Sequence, residues 1–302
     1  MRSPVLEKFV LGVGAVLAVA VVAGCGQTAP QGSGGEAGET AAETTAETTA
    51  ETTAATEVGS TPELEAASES YGEYVVDETE DLVDATDRFT GAVISGDVER
   101  AKRLYAPTRV HWERIEPVAA SLGDLDPKID AREGDVPEEE WGGFHRIEQA
   151  LWEENTTEGQ EEYARVLMAD VEALRTEVEG LDLEPSDPVV GSIELLNEVS
   201  AGKITGEEER YSHTDLYSIA ANIEGSEAAF RSLEPAVEGE DPELVQEIDD
   251  RFADLYATLE PYRDGDGWVP YTELDERERR ELSQSVDALA EPLSRVGQVL
   301  QA

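Results

Sequence analysis

The chain has 302 residues, with 69 acidic against 22 basic side chains and a formal net charge of −47. Such a surface repels nucleic acid and anionic lipid and draws cations toward it. One cysteine and three histidines exclude an internal disulfide, a zinc ribbon and a cysteine-held cluster, so metal chemistry has to rest on carboxylates and a rare imidazole.

The first segment reads as an export signal. Arg2 and Lys8 precede a continuous apolar run from Phe9 to Ala23. As a helix that run reaches only about 22 Å, short of the roughly 30 Å hydrocarbon core of a bilayer. It ends in Val22-Ala23-Gly24-Cys25, which resembles a bacterial lipobox. The expectation is that residues 1–24 are removed and Cys25 is lipidated, leaving a lipid anchor as the sole membrane attachment. Residues 25–60 are rich in Gly and Ser and then in Ala-Glu-Thr-Thr repeats from Ala42. With no apolar face to bury, this stretch is expected to be a solvated tether.

Beyond the tether the pattern is helical nearly throughout. Pro62 starts a segment running to about Ser95, with Tyr71, Val75, Leu82, Phe89 and Val93 at helical spacing. Gly96 interrupts it, and Asp97 is placed to cap a second segment through Leu104, Val110, Ile115 and Val118, bent at Pro107. Residues 121–137 read as a loop rich in Asp, Gly and Pro. The segment around His145 and an amphipathic helix over about 158–178 follow. Leu181–Pro185 reads as a linker. Further helices are expected over 188–201, about 212–233, 242–262 and about 275–300. Alternating strand patterns are nearly absent. Four helices on each side of about residue 182 predict an all-α fold of two fused four-helix bundles, over 61–182 and 183–302.

The chemistry has to be found by position, because most of the carboxylates read as a solvated face of the kind a salt-adapted protein carries. Trp141-Gly-Gly-Phe-His145-Arg-Ile-Glu148 places an imidazole and a carboxylate three residues apart on one helix face. Mixed nitrogen and oxygen donors inside a bundle suit a transition metal. Neighbouring segments supply further oxygens. Glu113 and Glu116 lie three apart on the preceding helix, and Asp124, Asp126 and Asp130 lie in the loop between. Of these, Glu116 and Asp130 are favoured, with Glu113 behind. His111 reads as a surface or packing residue and not as a ligand. Lys203-Ile-Thr-Gly-Glu207-Glu-Glu-Arg-Tyr-Ser-His213-Thr-Asp215 brings Glu208, His213 and Asp215 to a helix entrance, either as a cation site or as a cap built on Ser212 or Thr214. Asp264-Gly-Asp266-Gly begins like a calcium loop but lacks its later ligands. No His-Glu-x-x-His and no Gly-x-Ser-x-Gly is present.

Several of these segments together resemble the imelysin-like family, in its EfeO/EfeM branch of iron-uptake components. They are Ala106-Pro-Thr-Arg-Val with Glu113-Arg-Ile-Glu-Pro117, Asp124-Leu-Asp with Ile129-Asp130, Gly143-Phe-His-Arg-Ile-Glu148, Lys203 through Leu216, and Asn222-Ile-Glu-Gly225. The similarity runs from about Tyr71 to the C-terminus. It implies two fused helical bundles, a metal site at Gly-x-His-x-x-Glu, and iron bound outside the cytoplasm. It further implies hand-over of iron to a membrane permease, with a haem peroxidase as a third component. The tether stands where full-length EfeO proteins carry a cupredoxin domain, so the short form is the better match.

The resulting expectation is a tethered, non-enzymatic iron-binding lipoprotein using Glu116, Asp130, His145 and Glu148, with Glu113, Glu208, His213 and Asp215 as further candidates. Carboxylate oxygens favour ferric iron, and the imidazole also tolerates ferrous iron, copper or zinc. The competing readings are a metal-dependent peptidase or hydrolase, and a metal-stabilised polysaccharide binder presenting Trp112, Trp141, Trp152 and Trp268 in a cleft.

Overall fold

The computed structural model describes residues 61–301; the signal, Cys25 and tether expectations fall outside them. The elements run α1 (Pro62–Ile94), α2 (Val98–Glu113), α3 (Glu116–Ser121), α4 (Leu125–Asp130), α5 (Gly143–Trp152), α6 (Glu161–Val178), α7 (Asp187–Ala201), α8 (Asp215–Glu240), α9 (Pro242–Leu259), α10 (Glu276–Leu293) and α11 (Val296–Val299). A two-stranded hairpin, β1 (Arg263–Asp264) and β2 (Gly267–Trp268), interrupts the helices after α9. The fold is all-α, and no described helix is long and apolar enough to cross a membrane.

Caps set the helix starts. Thr61 accepts from the backbone N–H of Leu64 with Pro62 at the first helical position, and Asp97 accepts from Arg100. Asp241 caps α9 ahead of Pro242, and Asp275 with Glu278 forms a full capping box on α10.

Two expectations are corrected. The second helix stops at Glu113, and the chain turns before α3 restarts at Glu116. Residues 121–137 contain a short helix, α4, that ends on Asp130. The Asp264-Gly-Asp266-Gly stretch is the tip of the hairpin, with Asp264 paired to Gly267 and Gly265 at φ +61°. A two-residue Gly-containing turn is what such a tip requires.

Two apolar clusters form the core. One gathers Leu82, Phe89, Trp112, Phe144, Leu167 and Leu174 between α1, α2, α5 and α6. The other gathers Leu196, Ile219, Phe230, Ile248, Phe252 and Leu289 between α7, α8, α9 and α10. α8 also packs on α1 and α2. There Gly225 lets the backbone of Arg114 come close, since a Cβ would fall 2.9 Å from its Cα. This contact brings α2, α5 and the segment before α8 around one buried polar cluster.

Candidate metal centre

On α2, Tyr105, Arg109 and Glu113 recur every four residues, so they share one helix face. That face is buried: each of the three is fully excluded from solvent. Charged groups are almost never buried unless paired, and Arg109 is paired four times over. Its Nε donates to Glu209 Oε1 at 2.8 Å, and its terminal nitrogens reach Asp130 and Glu113. Glu208 Oε1 lies 3.6 Å from its Nη2.

α5 delivers His145 and Glu148 into the same cluster. The helix is buried nearly all round, with Phe144, Ile147 and Leu151 toward the core and His145 and Glu148 toward the polar side. His145 Nδ1 is 2.9 Å from Glu148 Oε2 and 3.3 Å from the Tyr105 hydroxyl. The other Glu148 oxygen, Oε1, accepts from the backbone N–H groups of Tyr211 and Ser212 at 3.1 and 2.8 Å. His145 Nε2, by contrast, is buried without a hydrogen-bond partner. It faces Asp130 Oδ1 at 3.5 Å and Glu208 Oε1 at 3.8 Å.

Those spacings are too long for hydrogen bonds. They suit donors shared by one ion, since two ligands about 2.1 Å from a metal at a tetrahedral angle lie roughly 3.4 Å apart. Two groups of three donors cluster here within 4.8 Å of one another: Asp130, His145 and Glu208, and His145, Glu148 and Glu209. In the second group, Nδ1 and both Glu148 oxygens already have partners. The first group is the one with an unused nitrogen.

Asp130 sits at the end of α4, where Trp141 Nε1 donates to the adjoining Ala131 carbonyl at 2.8 Å. Gly143 closes the other side. At φ +69° it begins α5 against α4 so tightly that a Cβ would fall on the Ile129 carbonyl oxygen. Asp130 and Glu208 also line a cleft of about 420 Å³ with Glu116, Asp126, Asp135 and Glu198. The oxygens beside Nε2 are therefore reached through an acidic opening. Arg132 spans its rim, donating to Glu208 Oε2 at 3.0 Å and to Asp135 at 3.1 Å.

The electrostatics follow from burial and charge. Burial and Arg109 both press the His145 pKa down, but Glu148, Glu208 and Glu209 outweigh them and hold it at about 9. Burial raises the Glu209 carboxyl to about 7 against the opposing Arg109 charge. Burial would also raise Glu208, yet Lys203, His145 and Arg109 hold it well below the usual carboxylate range.

The structure brings Asp130, His145, Glu148 and Glu208 together. Glu113 and Glu116 stand apart on Lys203, whose ammonium reaches both carboxylates. Asp215 is buried and accepts from the Glu209 backbone N–H at 3.1 Å. The His213 side chain is exposed and outside both donor groups, with φ +58°. Thr214 precedes α8 without a side-chain cap bond, while Ser212 Oγ accepts from the Thr214 backbone N–H at 3.4 Å. His111 pairs with Glu78 at 2.8 Å. Trp112 and Trp141 are buried, the half-buried Trp152 packs edge-on against Tyr105, and Trp268 lines a small separate cleft with Arg114 and Glu224, so the four tryptophans form no common platform.

Tyr105, Arg109, Lys203 and Glu209 were not predicted as site residues. The sequence signal for the first two was present, because Ala101, Tyr105 and Trp112 mark the buried face of α2 on which Arg109 falls. Glu209 lies in irregular chain and Lys203 starts a single 3-10 turn over Lys203–Thr205, where no periodicity marks burial.

The sequence model of the imelysin family, which carries a peptidase label, matches residues 67–296. The chain belongs to the imelysin family. Among curated relatives, this imelysin is 44% identical over 241 residues to the iron uptake system component EfeO of Escherichia coli K12, and equally so to that of Shigella flexneri. The match covers 78% of this chain and 64% of each relative, so it spans slightly less than two thirds of their length.

Proposed function

We propose that this imelysin is an iron-binding component of an uptake system, holding iron outside the cytoplasm and passing it to a membrane permease. In this reading His145 Nε2, Asp130 and Glu208 hold the ion. Glu148 fixes the imidazole from behind, as carboxylates do for metal-bound histidines. Residues 61–182 supply Asp130 and His145 and residues 183–302 supply Glu208, so the ion sits where the two halves meet. Cys25 is the lipid anchor, the tether gives the domain reach, and a haem peroxidase is the third partner.

The observation that carries the proposal is the unpartnered, buried His145 Nε2 facing two carboxylates at the end of an acidic cleft. The names of the relatives add iron as the cargo. Iron suits the donor set: one imidazole and hard oxygens accept ferric or ferrous ions, and copper or zinc bind as competitors. Tyr105, Glu148 and the backbone of Tyr211 and Ser212 keep the imidazole in place while the ion enters and leaves.

The test is titration of wild type, His145→Ala and Glu208→Gln with anaerobic ferrous iron, a ferric chelate, zinc and copper. One tight site in the wild type and its loss in both variants is expected. Unchanged stoichiometry and affinity in the variants rules the site out. The peptidase label favours one rival, a metal-dependent hydrolase, which needs an ion with an open position and a general base. Metal-dependent turnover of a peptide library, abolished by His145→Ala, would replace the transport reading.

A further inference from the structure

Arg109 and the proposed ion compete for the same two atoms. Asp130 Oδ1 is the oxygen that accepts from Arg109 Nη1, and it is also the oxygen 3.5 Å from His145 Nε2. Glu208 Oε1 stands 3.6 Å from Arg109 Nη2 and 3.8 Å from His145 Nε2. Each oxygen thus faces a fixed cation on one side and an unused nitrogen on the other. Arg109 has further holds that involve neither oxygen: its Nε on Glu209, and Nη2 on Glu113. Glu209 is itself fixed by the Tyr105 and Ser218 hydroxyls at 2.8 and 2.9 Å.

We propose that Arg109 is the resident counter-charge of the site, a residue that sets its affinity by being displaced from Asp130 and Glu208 when an ion binds. The inference rests on the Asp130–His145–Glu208 reading above. The guanidinium keeps its Nε anchor on Glu209 and turns its Nη1 and Nη2 edge away as the ion takes the two oxygens. When the ion leaves, the guanidinium returns and neutralises them.

The consequence is a site tuned for release. Buried carboxylates with no cation among them would hold a divalent ion tightly, because affinity rises with the count of charged ligands. A fixed positive charge a few ångströms away opposes the ion through a medium that screens poorly. The emptied site also avoids bare, mutually repelling carboxylates, which would otherwise have to take up protons. Arg suits this role better than Lys, since its planar fork bridges several oxygens at once and stays charged when buried.

A merely structural role predicts the opposite outcome, because loss of the bridging cation would scatter the donors and weaken binding. The experiment compares the full chain with Arg109→Gln and Arg109→Lys, using zinc and anaerobic ferrous iron in calorimetric titration. Dissociation is timed by transfer to a chelator, and thermal melts by circular dichroism establish folding. Arg109→Gln is expected to bind roughly tenfold tighter or more and to release more slowly. Arg109→Lys, which keeps the charge without the fork, is expected to fall between it and the wild type. Equal or weaker binding by folded Arg109→Gln overturns the proposal. Should that variant not fold, equal or weaker binding by Arg109→Lys overturns it. A wild type that binds neither metal removes this inference together with the site it rests on, whereas wild-type binding without tightening in the variants removes this inference alone.

Discussion

Gly143→Ala tests whether the contact between α4 and α5 sets the site. Gly143 has φ +69°, and a Cβ there would fall on the Ile129 carbonyl oxygen and 2.8 Å from that of Lys128. The left-handed conformation costs an alanine about 1–2 kcal/mol. Forcing the added methyl group into a filled space costs about 1–3 kcal/mol more, so the total is about 2–5 kcal/mol. For a folded region of this size a central value of about 3 kcal/mol lowers Tm by about 6–12 °C. The strain has a direction, because relief requires α5 to move away from the end of α4. That movement separates His145 from Asp130, so metal affinity falls along with stability. Urea unfolding measures the first effect and zinc titration the second. Gly91→Ala is the control, since its Cβ meets nothing within 4 Å; it should stabilise α1 by about 0.5–1 kcal/mol. A Gly143→Ala protein within about 0.5 kcal/mol of wild type, with unchanged zinc affinity, would show that the α4–α5 contact does not set the site.

Four further outcomes follow from the same geometry. Glu148→Gln keeps an oxygen behind the imidazole but loses its charge, so affinity should fall about 10–100-fold with stoichiometry unchanged; loss of the whole site would make Glu148 a ligand instead. His145 is held at about 9 and is mostly protonated at neutral pH, so an ion taking Nε2 should release roughly one proton, measurable by calorimetry in buffers of different ionisation enthalpy. Lys203→Met removes the shared ammonium from Glu113 and Glu116 but leaves Glu113 on Arg109 and Asn222, so it should cost about 1–3 kcal/mol; urea unfolding at neutral pH measures it. Glu78 is held below its ordinary 4.5, since the His111 hydrogen bond and the Arg114 charge outweigh the raising effect of burial. Its stabilisation is therefore present above 4.5 and lost as pH falls through the lower folded value. Glu78→Gln should cost about 1.5–3 kcal/mol at pH 7, and the gap to wild type should close in acid. A gap that widens in acid would show that Glu78 stabilises the fold by another route.

The helices were legible because long apolar faces repeat with helical period and because Thr61, Asp97, Asp241 and Asp275 cap as their residue types suggest. α4 was hidden, since Asp124, Asp126 and Pro127 look like loop, and the turn is ordered by the packing of Ile129 and by distant partners of Asp130 and Ala131. In the site, the spacing of His145 and Glu148 fixed their shared face but not their roles. Which imidazole nitrogen meets Glu148 depends on backbone N–H groups from Tyr211 and Ser212, more than sixty residues away. Glu113 and Glu116 carry the right spacing for ligands, yet Lys203 occupies them, and no local pattern announces a partner so distant in the chain. Arg109 shows the same difficulty, because a charged residue on a helix looks solvated until its face is known to be buried.

The most direct measurement is anomalous diffraction at the iron edge from crystals loaded with iron. One principal peak is expected within about 2.0–2.3 Å of His145 Nε2, Asp130 and Glu208, with the Arg109 guanidinium withdrawn from those oxygens. An iron peak on the Nδ1 side between Glu148 and Glu209, or at the Glu113–Glu116 pair with Nε2 still unpartnered, would contradict it.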